Sequence, residues 1–293
     1  MPELPEVESS VKYLKRKVLG RTFLKTWTDT DKMGVIKGLL GESFEEKIKE
    51  KKILDVRRRA KNVIFDLSEG LSLLVHYKMT GHLLYGKWKK VDDGWESKLE
   101  GPLKEDKMNQ YIHFIFFLDN GNQIAFSDLR KFGKIELWKS KDLEEKLSDL
   151  GPEPFSDEFT LQRFQEMIEG RRKMIKPLIM DQSFLSGVGN IYASDALWLS
   201  QIHPEKKANQ LTEKQVEDLY EALKEVLKEG IKNSGDSMVD FRLPDGTRGN
   251  YQNKQKVYNK HGEICDRCEE REIEKIKVGG RGTYLCPNCQ PKD

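Results

Sequence analysis

MPELPEVESSVKYLKRKVLG, residues 1–20, opens the chain and decides how its first domain begins. Apolar residues recur at helical spacing through this stretch, and Gly20 follows as a typical helix stop. Pro5 suits a first helical turn, where acidic neighbours are favoured by the positive end of the helix. The stretch therefore predicts a helix over residues 5–19, with one apolar face formed by Val7, Val11, Leu14 and Val18.

Short apolar runs follow this helix as far as residue 140. Turn signals at 68–70 and 119–121 separate some of them, which is the pattern of antiparallel strands. The highly charged stretch 88–109 is predicted to be a long exposed loop. We predict an N-terminal helix followed by an antiparallel β-sandwich over residues 1–140. The predicted strands are 53–56, 63–67, 71–76, 111–118, 123–126 and 134–138.

Beyond residue 140 the pattern changes from strands to helices. Residues 141–158 are interpreted as an interdomain linker, and residues 159–260 as a helical domain with a flexible loop at about 235–250. Thr212 and Gln215 fit a capping box at the start of a long helix. Other helices are predicted at 160–169, 178–184 and 191–199. With a cysteine-bearing module at 261–293, the chain is predicted to be an α+β multidomain protein.

The charge balance does not decide the class of partner. Lys and Arg number 51 and Asp and Glu 49, which gives a net charge of only +2. No apolar run approaches the length of a membrane span, and the acidic start lacks the pattern of a signal peptide. We therefore expect a soluble, cytoplasmic protein with no membrane partner.

The cysteines form two Cys-x-x-Cys pairs, at 265–268 and 286–289, separated by 17 residues. This spacing is typical of structural zinc, because two short turns supply the four thiolates of a tetrahedral site. Two disulfides are the alternative, but these are rare inside cells. We predict one structural Zn²⁺ held by Cys265, Cys268, Cys286 and Cys289.

Pro2 is the candidate nucleophile. Small second residues favour removal of Met1, which would leave Pro2 with a free secondary amine. An α-amino group titrates at about 7.7–8.0, so a useful fraction is neutral at pH 7. Amines form Schiff bases with carbonyl-like carbons, and the neighbouring Glu3 and Glu6 are candidate acids and bases. The alternative is that these residues serve only as a helix entry.

Several further elements are candidates for contact with nucleic acid. The densest basic cluster is 57–61, which precedes a strand. Methionine and aromatic residues at strand ends are candidate wedges in a base stack, although core packing is the alternative. The glycine-rich turn 186–190 precedes a helix and suits contact with a phosphate. Arg281 lies between glycines at a predicted hairpin tip, where a guanidinium can bind a phosphate.

Together these motifs resemble the formamidopyrimidine-DNA glycosylase and endonuclease VIII family of DNA repair enzymes. The resemblance runs almost from end to end. It rests on PELPEVE at 2–8, RRAK at 58–61, DLRKFG at 128–133, GVGNIYA at 187–193 and GRGT at 280–283, together with the four cysteines. It implies an N-terminal catalytic sandwich, a helix-two-turn-helix domain and a zinc-finger β-hairpin.

The resemblance also implies catalytic roles. Pro2 would attack the sugar C1′ and form a Schiff base, Glu3 would act as an acid or base at the ring oxygen, and Glu6 would support the site. Lys61 and Arg281 would contact phosphates around the lesion and complete the catalytic set. β- and then δ-elimination would cut the strand on both sides of the abasic sugar.

A second set of residues is implied to bind the DNA. A flipped nucleotide leaves a gap that side chains must fill, and flanking phosphates must be gripped. The resemblance assigns Met79, Arg130 and Phe132 to the gap. It places Lys176 near the damaged nucleotide and Asn190 on a phosphate, and it includes His76 among the DNA contacts. The expected partner is double-stranded DNA with oxidised bases or abasic sites, bound by a monomer.

The sequence indicates the reaction more clearly than it indicates which class of damaged base is removed. The finger and Phe132 favour the oxidised-purine branch, with 8-oxoguanine and formamidopyrimidines as lesions, but the loop at 235–250 departs from the common family pattern after Asp240. An endonuclease VIII-like enzyme for oxidised pyrimidines is the first alternative. A non-catalytic zinc-finger DNA-binding protein is the second, and it leaves the Pro2-Glu3 pair unexplained.

Overall fold

The computed structural model describes residues 1–36, 43–92 and 94–292, which divide into two compact units. The first unit is Met1–Ser148 with Asn233–Gln252, and the second is Asp149–Lys232 with Asn253–Asp293. The loop predicted at 235–250 therefore packs with the first unit, although the sequence placed it in the helical domain. The cysteine-bearing module belongs to the second unit.

The first helix forms as the sequence predicts. α1 spans Leu4–Val18 and buries its apolar face, including Val7, Val11 and Leu14. Glu3 is its N-cap and Glu6 completes a capping box, so each residue satisfies a backbone N–H that the helix start leaves unpaired. The capping box fixes both carboxylates at the first turn.

The strands of the first unit form two main sheets. They are β1 Phe23–Thr28, β2 Val35–Ile36, β3 Ile53–Arg59, β4 Asn62–Leu67, β5 Leu71–His76, β6 Gly81–Gly86, β7 Trp88–Val91, β8 Gly94–Ser97, β9 Ile112–Leu118, β10 Gln123–Asp128 and β11 Lys134–Lys139. A short helix, α2, spans Phe44–Ile48. One sheet has the order β1-β9-β10-β6, the other has the order β2-β11-β5-β4-β3, and β7 pairs with β8.

The sheets are antiparallel except where β2 pairs with β11. Their apolar faces and α1 share one core, in which Phe23, Phe65, Phe116 and Phe126 are almost fully buried. The predicted antiparallel sandwich is confirmed, and all six predicted strands are present. Five strands escaped the sequence analysis, because β2, β7 and β8 have four residues or fewer and β1 and β6 show little polar–apolar alternation.

The stretch 88–109 is not an exposed loop, so that prediction is wrong. After the β7–β8 hairpin it forms α3, Pro102–Glu105, and a 3-10 turn over Lys107–Gln110. Trp88 and Leu103 are buried in a second apolar cluster against Ile115 and Ala125 of the four-stranded sheet. The few apolar residues of this stretch are widely spaced among charged residues. The sequence therefore shows no helix or strand period that would reveal their shared apolar face.

The second unit is helical, and a β-hairpin follows. Its elements are α5 Leu161–Ile168, α6 Ile175–Ile179, α7 Asn190–Leu199, α8 Glu213–Lys232, β12 Glu274–Val278 and β13 Arg281–Leu285. α4, Ser140–Leu147, lies in the first part of the predicted linker and buries Leu143 and Leu147. The helix predicted at 178–184 is misplaced, since α6 ends at Ile179 and turns follow.

Two local predictions in the second unit are confirmed. Gln215 N donates to Thr212 Oγ1 and Thr212 N donates to Gln215 Oε1, both at 3.2 Å, as a capping box requires. β12 and β13 pair antiparallel and place Arg281 at the first residue of the returning strand. Within the described residues, no helix combines the length and the apolar character needed to cross a membrane.

Candidate active site

The carboxylates at the start of α1 are buried and held by backbone groups. Glu3 is 3% exposed and Glu6 is 1% exposed, and Pro2 beside them is buried. Glu6 Oε2 accepts a hydrogen bond from Glu3 N at 2.6 Å, and its Oε1 accepts one from Asp236 N at 2.7 Å. Glu6 therefore joins the start of α1 to the 233–252 segment. Pro2 and Glu3 lie immediately before the first residue of α1.

Met1 determines whether Pro2 can react. With Met1 attached, the Pro2 nitrogen is an amide and has no lone pair available for attack on carbon. Met1 is 48% exposed, whereas Pro2 is buried. Removal of Met1 would leave the secondary amine of Pro2 beside Glu3.

His76 and Lys61 lie near each other at the same end of the five-stranded sheet. Lys61 immediately precedes β4 and is 6% exposed, and its neighbour Asn62 pairs with His76 across β4 and β5. Burial, together with the charges of Lys78 and Lys61, lowers the pKa of His76 to about 4. The ring is neutral at pH 7, and its Nδ1 accepts a hydrogen bond from Lys78 N at 2.9 Å. His76 Nε2 therefore carries the hydrogen and is a donor.

The basic cluster at 57–61 is largely engaged within the first unit. Arg57 Nε lies 2.6 Å from Asp66 Oδ2, and Arg58 Nε lies 2.8 Å from Glu8 Oε2. These pairs hold the β3–β4 hairpin and α1, so much of the local charge that suggested phosphate contact is neutralised by protein carboxylates.

The three candidate wedge residues come together on adjacent turns. Arg130 Cζ lies 4.5 Å from the centre of the Phe132 ring, and Arg130 Nη1 lies 3.2 Å from Met79 Sδ. Phe132 is 51% exposed and Met79 is 44% exposed. Exposed apolar side chains stacked on a guanidinium are suited to insertion between bases.

Asp128, whose structural role the sequence did not reveal, holds the turn that carries these wedge residues. It is fully buried, and its carboxylate accepts hydrogen bonds from Thr80 Oγ1, Arg130 N and Gly133 N. Gly133 leaves room for Phe126, since a Cβ at this position would lie 2.4 Å from that ring. The turn is therefore fixed by the protein itself.

Lys176, Asn190 and the finger hairpin meet in the second unit. Lys176 Nζ donates to Asn190 Oδ1 and to Thr283 Oγ1, both at 2.7 Å, and Asn190 Nδ2 donates to Gly282 O at 3.0 Å. Lys176 is 1% exposed, whereas Arg281 is exposed. The geometry makes Lys176 a buried link between the start of α7 and the hairpin, and it leaves Arg281 available to solvent.

The four cysteines form a centre that fits zinc. Their sulfur atoms lie within 4.8 Å of one another, with Cys265–Cys289 at 3.8 Å and Cys268–Cys286 at 3.6 Å. Four thiolates at about 2.3 Å from one ion are about 3.8 Å apart, whereas a disulfide brings sulfurs to about 2.0 Å. The centre is therefore a closed Cys₄ zinc site, and the disulfide alternative is wrong.

Neighbouring side chains support this centre. Trp198 Nε1 donates to Cys265 Sγ at 3.4 Å, and the Arg267 guanidinium stacks 4.0 Å from the Trp198 ring. Arg267 also donates to the carbonyl oxygens of Trp198 and Leu199 near the end of α7. The zinc centre is thus anchored to a helix of the second unit.

Three profiles of known families match successive parts of the chain. They are the formamidopyrimidine-DNA glycosylase N-terminal domain at residues 1–135, the formamidopyrimidine-DNA glycosylase H2TH domain at 150–242, and the zinc finger found in FPG and IleRS at 262–292. The formamidopyrimidine-DNA glycosylase of Pelotomaculum thermopropionicum is 40% identical over 292 residues, covering 99% of both chains. The chain belongs to the formamidopyrimidine-DNA glycosylase family.

Other relatives agree with this assignment. The formamidopyrimidine-DNA glycosylase of Herpetosiphon aurantiacus is 36% identical and covers 99% of this chain and 100% of its own. Solved structures of the Lactococcus lactis enzyme are 32% identical and cover 99% of this chain and 100% of their own. One is its complex with Fapy-dG DNA, at a TM-score of 0.83, and another its complex with abasic-site DNA, at 0.84. A third contains an oxidised pyrimidine in DNA, at a TM-score of 0.83.

Family membership establishes the activity class. The protein is a DNA repair glycosylase with an N-terminal domain, a helix-two-turn-helix domain and a DNA-binding zinc finger. The predicted fold class, zinc ion and family are confirmed. No sequence pattern marks Asp106, Asn109 and Arg242, which bind the 233–252 segment to the 101–110 stretch.

Proposed function

We propose that this glycosylase is bifunctional, and that it removes oxidised purines from double-stranded DNA through a Schiff base on Pro2. The observation that carries the proposal is the burial of Pro2, Glu3 and Glu6 at one point, with both oxygens of Glu6 accepting backbone hydrogen bonds. A site arranged so closely around the second residue is unnecessary for DNA binding alone.

The proposed reaction uses the free amine of mature Pro2. Its nitrogen attacks C1′ of the flipped nucleotide, the bond from C1′ to the damaged base breaks, and the base takes up the proton that the Pro2 nitrogen loses. Glu3 donates a proton to the sugar ring oxygen, so the ring opens to an iminium ion on Pro2. Glu6 acts through the position of Glu3, because its carboxylate holds the Glu3 backbone.

Strand cleavage follows from the same iminium ion. The positive nitrogen acidifies the neighbouring C2′ hydrogen, so loss of that proton to water expels the 3′ phosphate, and loss of the C4′ proton to water in a second elimination expels the 5′ phosphate. Phosphate contacts are proposed for Lys61, His76, Asn190 and Arg281. His76 is suited to this role, because its neutral ring has Nε2–H as a donor.

Gap filling is proposed for Met79, Arg130 and Phe132. Their exposure and mutual contact support this assignment, since a base pair left without its flipped member loses its stacking partner. Lys176 is proposed to act near the damaged nucleotide through Asn190, because its ammonium is buried against that side chain. We propose that a monomer performs the reaction in the cytoplasm, where the substrate is DNA that contains oxidised bases or abasic sites.

Oxidised pyrimidines are the second candidate substrate class. The similarity to the L. lactis enzyme, which has been solved with an oxidised pyrimidine in DNA, favours testing it. The same Pro2 chemistry would apply, and only the contacts to the base would differ.

Borohydride trapping tests the proposal. Duplexes with a single 8-oxoguanine, a single oxidised pyrimidine or a preformed abasic site are incubated with wild type and with Pro2→Gly, and mass spectrometry confirms removal of Met1. We expect a covalent adduct on 8-oxoguanine DNA with wild type, and loss of most of it in the variant, since glycine supplies a primary amine on a different backbone.

The other outcomes separate the alternatives. An adduct on the oxidised pyrimidine but not on 8-oxoguanine would reassign the substrate class and keep the mechanism. Base release without any adduct on the three duplexes would overturn the Schiff base and leave a monofunctional glycosylase.

A further inference from the structure

The 233–252 segment has almost no regular structure, yet residues 1–148 hold it at several places, three of which bear on the site. Asp236 N donates to Glu6 Oε1 at the start of α1. Phe241 is 4% exposed and lies in the sandwich core, with its ring centre 6.4 Å from that of Tyr77. The third place is the 101–110 stretch, where Asn109 Nδ2 donates to Gly246 O at 3.0 Å.

Asp106 makes the strongest contact at this third place. Its Oδ2 accepts from Arg242 Nε at 2.7 Å and from Arg248 Nε at 3.3 Å, and its Oδ1 accepts from Met108 N at 3.0 Å. Burial raises the pKa of Asp106, but the hydrogen bonds from Arg242, Met108 N and Arg248, together with the charge of Arg242, outweigh burial and leave the pKa below its usual value. The carboxylate is therefore ionised at pH 7.

Arg242 needs this carboxylate. Only 2% of its side chain is exposed, and a buried guanidinium without a counter-charge is strongly unfavourable. Its Nη1 donates to Val239 O at 3.2 Å and to Phe241 O at 2.7 Å. Asp106 thus fixes Arg242, and Arg242 fixes the carbonyl groups of Val239 and Phe241, the residues on either side of Asp240.

The same segment contacts the first turn of α1 through Asp236, whose N donates to Glu6 Oε1 at 2.7 Å. Burial raises the pKa of Asp240, while the positive charges of the N-terminal amine and Arg130 act in the opposite direction. Met238 and Val239 lie between Asp236, which contacts Glu6, and Asp240, and they are 40% and 66% exposed.

The 101–110 stretch is fitted to the segment. Asn109 is 1% exposed and also donates to Pro102 O at 2.8 Å, and its Oδ1 lies 3.1 Å from His82 Nε2. Gly246 has a φ of +84°, and a Cβ there would lie 2.7 Å from Leu103 N. The backbone of the segment at Gly246 therefore packs directly against the backbone of the 101–110 stretch.

We propose that Asp106 is a positioning residue for base removal. Its carboxylate holds Arg242, and Arg242 holds residues 239–241 of the segment whose Asp236 contacts Glu6, so that this part of the segment is in place to contact the damaged base before it leaves. This inference rests on the proposed function. An abasic sugar has no base to contact, so Asp106 matters for base release and not for the cleavage of a preformed abasic site.

The test compares these two activities in Asp106→Asn and Asp106→Glu. Single-turnover release of 8-oxoguanine and cleavage of a preformed abasic site are measured on the same duplex sequence. Asp55→Asn is the matched control, because Asp55 also accepts from a cation, Lys15 Nζ at 2.6 Å, and from a backbone amide, Val56 N at 2.8 Å. Hydrogen exchange of residues 236–242 reports whether the segment is released.

Asp106→Asn is expected to slow base release about tenfold, because small misplacements of substrate-positioning groups cost up to about 10²-fold. Abasic-site cleavage is expected to stay within about twofold, exchange at 236–242 to rise, and Asp106→Glu to recover most of the rate. Equal losses in both activities, or no loss in either, would overturn the positioning role. A wild type without any adduct would instead mean that the proposed function fails.

Discussion

The zinc centre and the N-terminal site are built in opposite ways. The zinc centre takes its ligands from Cys265 to Cys289, and the ion itself supplies the geometry. The N-terminal site takes Glu3 and Glu6 from one helix turn, but Glu6 also bonds Asp236, which is 230 residues away along the chain. The cysteine motif therefore predicts every ligand of the zinc centre. The sequence around Pro2 predicts the chemistry of the N-terminal site but not the distant residue that holds Glu6.

Removal of zinc should separate the two sites most clearly, because only the zinc finger should lose its structure. Structural zinc contributes about 10–16 kcal/mol of apparent binding free energy in finger peptides. We expect chelation to abolish hydrogen-exchange protection in residues 262–292 and to weaken DNA binding, while strands β4 and β5 keep their protection. Metal analysis should give a single zinc per chain before chelation. Unchanged exchange in the finger after complete zinc loss would contradict the assignment.

Glu3→Gln tests whether Glu3 acts as the proton donor in the N-terminal site. The amide can still accept hydrogen bonds at the helix start, but it cannot donate a proton to the sugar. We expect single-turnover release of 8-oxoguanine to fall about 10²–10⁴-fold, the usual contribution of a general acid. Glu46→Gln is the control, because Glu46 is an exposed helix-capping glutamate of α2. A loss below about tenfold would remove Glu3 from the acid role.

His82 tests the remote support of the N-terminal site. Asn109 uses its amide nitrogen on Pro102 O and Gly246 O, so its oxygen must accept from His82 Nε2. Burial lowers the pKa of His82 from 6.5 to about 4. The unfolded chain therefore binds more protons below pH 6.5, and stability is full above that pH and falls as the pH approaches 4.

The loss should reach about 3 kcal/mol at pH 4, of which about 2 kcal/mol has gone by pH 5. Chemical denaturation of wild type and His82→Gln between pH 8 and 5 measures it. The difference in unfolding free energy between the two proteins should shrink toward the acid end. A constant difference across this range would show that His82 is not a buried neutral link.

Local patterns account for what the sequence predicted. The cysteine spacing, the face of α1 and the capping box of α8 all lie within a few turns, so periodicity and residue type reveal them. The wedge residues were identified from their motifs, and their contact with each other is seen only in the structure. The chemistry of a terminal amine identified Pro2 as the candidate nucleophile and Glu3 as a candidate acid or base, and the resemblance assigned them to the sugar C1′ and ring oxygen.

Contacts between distant parts of the chain account for what the sequence did not predict. Asp106 and Arg242 are separated by 136 residues, and neither belongs to a repeating pattern. The 88–109 stretch was interpreted as exposed because charge dominates its composition, yet Trp88 and Leu103 bury themselves on the outer face of a sheet. Asp128 has no sequence signal for its role, because its three donors come from two different turns.

Peptide mapping of the borohydride-trapped complex tests the central claim most directly. The wild-type adduct with 8-oxoguanine DNA is digested, and the DNA-linked peptide is identified by mass spectrometry. The account predicts attachment to the peptide that begins at Pro2, with Met1 absent and the link at the proline nitrogen. Attachment to an internal lysine such as Lys61 would contradict it.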